Sequence, residues 1–234
     1  MSERIGIGIL CFYGLDDVKT AVASVRRHTQ VPYDLLVFDN SEDFEVGEWA
    51  LDHGDGAAYV RSPYNTGCSR SRNRMCEFFA ARGIEHFIVM DQDVEVVADG
   101  WAQDMLTVFG KHPDTGIVGW ELANRTMGPH HARDATGVVI ELPGMCNMYS
   151  VACMAATGGF CPEYFAYRFD TDFCLLAGTK GFKTRVVWPD TDKVRHNHPH
   201  QGVGRNPRMG AIRKQSQTIF NRRKKELGFA NVGF

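Results

Sequence analysis

The sequence predicts an α/β domain with a mostly parallel central sheet flanked by helices. Three observations carry this. Short apolar runs at residues 4–10, 33–38 and 87–90 have the length and unbroken hydrophobicity of strands buried on both faces. Amphipathic stretches at 16–28 and 68–82 alternate with them, the strand–loop–helix repeat of a doubly wound sheet. At 234 residues, 44% hydrophobic and 23% charged, the chain matches one soluble domain with a substantial core.

Residues 4–10 alternate Ile and Gly and form the first strand, its glycines admitting close backbone approach. Asp16 and Asp17 start a helix with an apolar stripe at Val18, Ala21, Val22 and Val25, ending near His28 ahead of Pro32. Residues 33–38 are the second strand, ending in Asp39-Asn40-Ser41. A third strand at 57–61 leads through Asn65-Thr66-Gly67 into a helix at 68–82 carrying Arg70, Arg72, Asn73 and Arg74. The first loop has no glycine-rich dinucleotide fingerprint, which argues against an NAD enzyme.

The strand at 87–90 stops at Asp91-Gln92-Asp93, inside an apolar run that resumes through Val97. A buried strand ending in acids delivers them to the carboxyl edge of the sheet, where α/β proteins place ligands. In an extended segment positions i and i+2 point the same way, so Asp91 and Asp93 converge and Gln92 faces away. Such oxygen donors suit a divalent cation with open positions for phosphate.

The second half changes character. A helix at 101–109 presents Trp101, Met105, Leu106 and Phe109 on one face. Strands are expected at 116–122 and 137–142, separated by a loop or lid at 123–135 rich in Gly, Pro, His and Arg. An apolar stretch at 145–156 and a turn-rich connection at 158–165 precede Asp170-Thr171-Asp172, which opens a helix at 173–178. A last strand at 183–188 is followed by His196, His198 and His200. An amphipathic helix at 209–227 places Met209, Ile212, Ile219, Phe220 and Leu227 on one side.

The net charge of −2 hides an asymmetry: eight basic residues and no acid lie between Arg205 and Lys225, so an acidic body carries a basic tail. The tail reads either as a packed helix with solvated charges or as a contact for phosphates on a nucleic acid or lipid-linked sugar. Seven cysteines without Cys-x-x-Cys spacing read as reduced thiols in a cytosolic protein. The opening residues are too short and interrupted for a signal peptide. No stretch approaches the apolar length of a membrane span, so a membrane-bound acceptor would be met peripherally, through the tail.

Taken in order, Asp39-Asn40-Ser41, Asn65-Thr66-Gly67 with Arg72-Asn73, Asp91-Gln92-Asp93, Gly158-Gly159-Phe160 with Pro162-Glu163-Tyr164-Phe165, Asp170-Thr171-Asp172, Gly181-Phe182-Lys183 and His196 resemble the family 2 nucleotide-sugar glycosyltransferases of the GT-A fold. The resemblance spans about residues 4–200. It implies a GT-A domain over 1–204, with a nucleotide-binding half at 1–98 and an acceptor-binding half at 99–204, then a basic loop and helix at 205–234. The implied activity is inverting, metal-dependent transfer of a sugar from a nucleoside diphosphate, UDP foremost, to a hydroxyl.

Roles follow from the same resemblance. Asp39 reads the nucleotide base, and Asn40, Asn65, Gly67, Arg72, Asp91 and Gln92 join it on the donor side. Asp91 and Asp93 hold the metal with His196, His198 being the alternate; an imidazole ligand favours Mn²⁺ over Mg²⁺. Asp170 is the general base, Asp172 its alternate; the Glu expected before Asp170 is here Phe169. Trp120, Glu121 and Asn147 lie in the acceptor pocket, and Arg205 or Arg208 closes over the donor diphosphate. Two rivals remain: a nucleotidyltransferase, for which Cys11-Phe12-Tyr13-Gly14 lacks a glycine-rich phosphate loop, and a non-catalytic sugar-nucleotide-binding module, against which the intact acids argue.

Overall fold

A computed structural model describes residues 3–53, 56–120, 136–187, 193–197 and 207–229. The first hundred residues run β1 (Ile5–Cys11), α1 (Leu15–His28), β2 (Tyr33–Asp39), α2 (Glu45–His53), β3 (Ala58–Arg61), α3 (Gly67–Ala80), β4 (His86–Asp91) and β5 (Val94–Val96). Then come α4 (Trp101–Lys111), β6 (Thr115–Gly119), β7 (Val138–Val139), β8 (Cys146–Ser150), α5 (Val151–Thr157), α6 (Phe169–Thr179), β9 (Lys183–Val186), β10 (Val194–His196) and α7 (Pro207–Glu226).

Among the described residues, eight strands form one sheet in the order β3-β2-β1-β4-β8-β6-β9-β7. The first four are parallel, β6 and β9 are parallel, and β8 is antiparallel to both β4 and β6. Alternation along each strand divides the core in two. Ile7, Ile9, Val37, Ile88 and Met90 face α1 and α4, with Val18, Val22 and Trp101. Leu36, Phe38, Phe87 and Val89 face α3, α5 and α6, with Met75, Phe79, Cys153 and Phe173. The glycines of β1 belong to this second face. A Cβ on Gly6 would sit 2.5 Å from the Phe79 ring, and one on Gly8 would sit 3.2 Å from the Met75 sulfur. Only hydrogen there lets α3 lie close on the sheet.

Several expectations are revised. The apolar run through Val97 is not one strand: the chain turns at Gln92-Asp93 and resumes as β5, which pairs antiparallel with β10 in a separate two-stranded sheet. Asp91 and Asp93 therefore do not share one extended segment. Helix α2 was not expected, because its apolar signal is thin: Val46 is buried but Leu51 is 81% exposed. The stretch at 145–156 resolves into β8 and α5, with the Ser150 side chain accepting from the Cys153 amide as the helix cap. Of the strand expected at 137–142, only Val138 and Val139 pair with β9. Residues 121 and 122, the loop at 123–135, and Trp188 lie outside the described residues.

Helix α7 packs Ile219 and Phe220 into the α3–α5–α6 side of the core, joined by Phe229 beyond its end. All seven cysteines are free thiols, six of them buried. Among the described residues no helix is long and apolar enough to cross a membrane.

Gly6→Ala tests the β1–α3 contact. Forcing a methyl into the Phe79 ring is expected to cost about 1–3 kcal/mol in urea unfolding with the m-value unchanged. No loss would mean that α3 can lift away freely.

Candidate active site

The carboxyl ends of β1, β2 and β4 open on one edge of the sheet, and Asp39, Asp91, Asp93 and, through Gly144, Asp170 gather there. Asp39 ends β2 fully buried. Its Oδ1 accepts from the Ser41 amide at 2.8 Å; its Oδ2 accepts from the Tyr59 hydroxyl at 2.6 Å and Arg61 Nη1 at 3.1 Å. Burial first, and then the bond to Asp39, push the Tyr59 hydroxyl up to about 12. Arg61 lies 4.2 Å over the Phe44 ring, so this wall carries a stacked cation as well as an acid. Neither Tyr59 nor Arg61 was singled out from sequence; their i, i+2 spacing on β3 was the available signal.

Asn40 and Asn65 brace the next loop. Asn40 Nδ2 donates to Asn65 Oδ1 at 2.7 Å, and the amides of Thr66 and Gly67 donate back to Asn40 Oδ1 and Asn65 Oδ1 at 3.0 and 2.9 Å. Gly67 has φ +78°, and a Cβ there would meet the Phe165 carbonyl at 2.6 Å. Only glycine therefore lets the start of α3 touch the Phe165 segment.

Arg72, on α3, is fully buried. Its Nη2 donates to Asp91 Oδ1 at 2.8 Å and to the Gly144 carbonyl at 2.7 Å, and its guanidinium lies 4.5 Å from the Phe169 ring. Asp91 keeps 36% of its side chain exposed. Burial pushes its carboxyl up and Asp93 adds to this, while Arg72 pulls it down. Asp93 pairs instead with His196, Oδ2 to Nε2 at 3.1 Å, because the β5–β10 ladder sets His196 opposite Val94. Among the described residues no three His, Cys, Asp or Glu side chains converge as a metal set. Burial first, and then the charges of Asp93, Asp17 and Asp91, raise the Tyr13 hydroxyl above its ordinary value. Gln92 sits in the turn after β4. It is buried, and its Oε1 accepts from the Phe12 and Tyr13 amides at 2.5 and 3.1 Å, bracing the loop after β1.

The second acid pair stands in the first turn of α6, and its members differ. Asp170 Oδ2 accepts from the Gly144 amide at 3.0 Å, and Oδ1 from the Thr171 amide at 2.9 Å; the residue is half-buried. Asp172 is fully buried: Arg223 forks onto it at 2.7 and 2.9 Å, and the Tyr164 hydroxyl donates at 3.2 Å. No sequence pattern marks this partner, since Arg223 sits in a basic run where nothing distinguishes it. Gly144 was also missed. Its amide holds Asp170, its carbonyl holds Arg72, and a Cβ on it would meet the Phe169 ring at 2.7 Å.

Trp120 is buried in the core, its indole Nε1 without a partner among the described residues. Asn147 is buried in β8, where Nδ2 donates to the Pro143 carbonyl at 2.9 Å and so shapes the strand leading from Gly144. Glu121, His198 and Arg205 lie outside the described residues.

Gln92→Leu keeps the volume but leaves two backbone amides without their acceptor. It is expected to cost about 1–3 kcal/mol, read by chemical denaturation, and to speed amide exchange at Phe12 and Tyr13.

The family model described as Glycosyl transferase family 2 matches residues 7–173. Among solved structures, the mannosyltransferase PcManGT from Pyrobaculum calidifontis, in complex with GDP-Man and Mn²⁺, superposes with a TM-score of 0.69 at 17% identity, over 86% of this chain and 59% of that one. S. aureus TarS 1-349 in complex with UDP-GlcNAc gives 0.64 at 13% identity, over 86% and 62%. GalNAc-T7 with UDP, GalNAc and Mn²⁺ gives 0.64 at 14%, over 83% and 43%. The chain thus spans less than two thirds of each of these proteins. No curated protein matches the sequence. The architecture is the GT-A fold that the ordered motifs implied. With the family pattern running from β1 into α6 and taking in both acid pairs, the chain belongs to glycosyl transferase family 2.

Proposed function

We propose that this chain is a metal-dependent inverting glycosyltransferase that moves a sugar from a nucleoside diphosphate, UDP foremost, to an acceptor hydroxyl, with Asp170 as general base. One observation carries the reading: two sets of acids with separate partners meet at one edge of the sheet. Asp91 ends β4, Asp93 follows in the turn and pairs with His196, and Asp170 heads α6 across Gly144. Transfer from a diphosphate donor needs such a division, one set for the leaving group and one for the incoming hydroxyl.

Asp93 and His196 fit a divalent cation that takes its remaining ligands from substrate, because they face each other within reach of one ion and Asp91 has exposed oxygen nearby. The imidazole favours Mn²⁺ over Mg²⁺. Such a cation supplies Lewis-acid stabilisation of the departing diphosphate. The similar structures support a nucleotide-sugar donor, being complexes with GDP-Man, UDP-GlcNAc or UDP, two of them with Mn²⁺. Seven free thiols support a cytosolic setting.

The chain's own residues do the rest. The Gly144 and Thr171 amides orient the Asp170 carboxylate, which takes the proton of the attacking hydroxyl. Asp170 is preferred to Asp172 because Arg223 and Tyr164 enclose the latter. Attack opposite the diphosphate inverts the anomeric centre, as in single-displacement sugar hydrolysis. At least three of the tail's eight basic residues are held by the body, Arg213 over Tyr167, Arg222 on Glu163 and Arg223 on Asp172. This favours the packed-helix reading over a phosphate-binding arm.

The test is nucleoside diphosphate release from a panel of UDP-, GDP- and dTDP-sugars with Mn²⁺. Asp170→Asn is expected to lower kcat by about 10²–10⁴-fold with donor KM little changed. Wild-type turnover in Asp170→Asn would overturn the base assignment. Release of pyrophosphate rather than nucleoside diphosphate would favour the nucleotidyltransferase.

A further inference from the structure

The turn that delivers Asp170 is strained, and one helix holds it. Tyr167 and Arg168 have φ of 57° and 60°, and among the described residues they are the non-glycine residues with positive φ. Bulky L-residues rarely adopt that conformation, and it persists only where surrounding structure over-determines it. Here the surrounding structure is α7. Arg213 lies 4.8 Å over the Tyr167 ring, Ser216 Oγ donates to the Ala166 carbonyl at 2.5 Å, and Arg168 Nε donates to Gln217 Oε1 at 3.1 Å. Phe220 lies 5.5 Å from the Arg168 guanidinium, and Arg223 forks onto Asp172. Positions 213, 216, 217, 220 and 223 share one helix face. All of them follow the family-matched residues 7–173, yet they converge on the four residues that flank Asp170.

We propose that α7 is a strap that holds the 166–168 turn in its strained form, and that Arg223 is a positioning residue which, through Asp172, aims Asp170 at the acceptor hydroxyl. The aiming rests on Asp170 being the base; the strap does not. Ordinary helix packing would leave an enzyme weakened in stability but unchanged in turnover once folded. Positioning separates kcat from donor KM.

The experiment compares wild type, Arg223→Lys, Arg223→Gln, the double variant Asp172→Asn/Arg223→Gln and the control Lys214→Ala. The double variant removes the fork without stranding a buried carboxylate, so it covers the case in which Arg223→Gln alone unfolds. Two readouts are taken on folded protein: hydrogen–deuterium exchange of residues 166–172, and nucleoside diphosphate release from UDP-N-acetylglucosamine or GDP-mannose with Mn²⁺. Loss of the fork is expected to speed exchange in that segment at least tenfold. It should lower kcat at least tenfold with donor KM within twofold. Arg223→Lys should fall between, and Lys214→Ala should match wild type. Unchanged exchange, or wild-type kcat in the folded double variant, overturns the proposal. If wild type itself releases no diphosphate, glycosyl transfer falls, and the strap stands or falls on the exchange alone.

Discussion

A guanidinium with no exposed surface has to be compensated by the protein around it, and the candidate site is arranged about one such group. Arg72 gives Nη2 to both Asp91 and the Gly144 carbonyl and rests against the Phe169 ring. Those partners come from the end of β4, the approach to β8 and the start of α6. Compensating one charge therefore draws together segments far apart in the chain. Asp91 is held directly and Asp170 at one remove, through the Gly144 amide. The phenylalanine at 169, where the resemblance implied a glutamate, has a clear physical consequence: it supplies an aromatic face to a buried cation instead of a further carboxylate beside Asp170.

The outer architecture was legible because it rests on local pattern. Continuous apolar runs marked β1, β2 and β4, and a 3.6-residue stripe marked α1 and α4. What was missed depends on pairing. Cys146-Asn147-Met148-Tyr149-Ser150 has no period that separates strand from helix, and only the slot between β4 and β6 makes it β8. Likewise β5 and β10 are three residues each, and neither has reason to extend without the other. Helix α2 hides behind an exposed Leu51.

Within the site, the sequence located the acids but not what holds them. The i, i+2 argument put Asp91 and Asp93 on one cation; the turn at Gln92-Asp93 gives them different partners, Arg72 and His196. The resemblance put Asp170 ahead of Asp172 as base. They are separated by Arg223, which arrives from a helix fifty residues later and bonds one of them alone. Tyr59, Arg61 and Gly144 were equally silent, since their roles are contacts across the fold rather than patterns along it. Pocket-forming assignments that rested on resemblance, such as Asn147 and Trp120, fall on buried side chains that shape the sheet and core.

The proposed nucleoside diphosphate site at this edge of the sheet depends on a divalent cation held by Asp93 and His196. The most direct measurement is thermal-shift binding of UDP with and without Mn²⁺, in wild type, Asp93→Asn and His196→Ala. A ligand at a hundred times its Kd stabilises the folded state by about 2.7 kcal/mol. A shift of that size is expected in wild type with UDP and Mn²⁺ together, and its loss without the metal or in either variant. An equal shift with UDP alone, or an undiminished one in Asp93→Asn, would contradict that dependence.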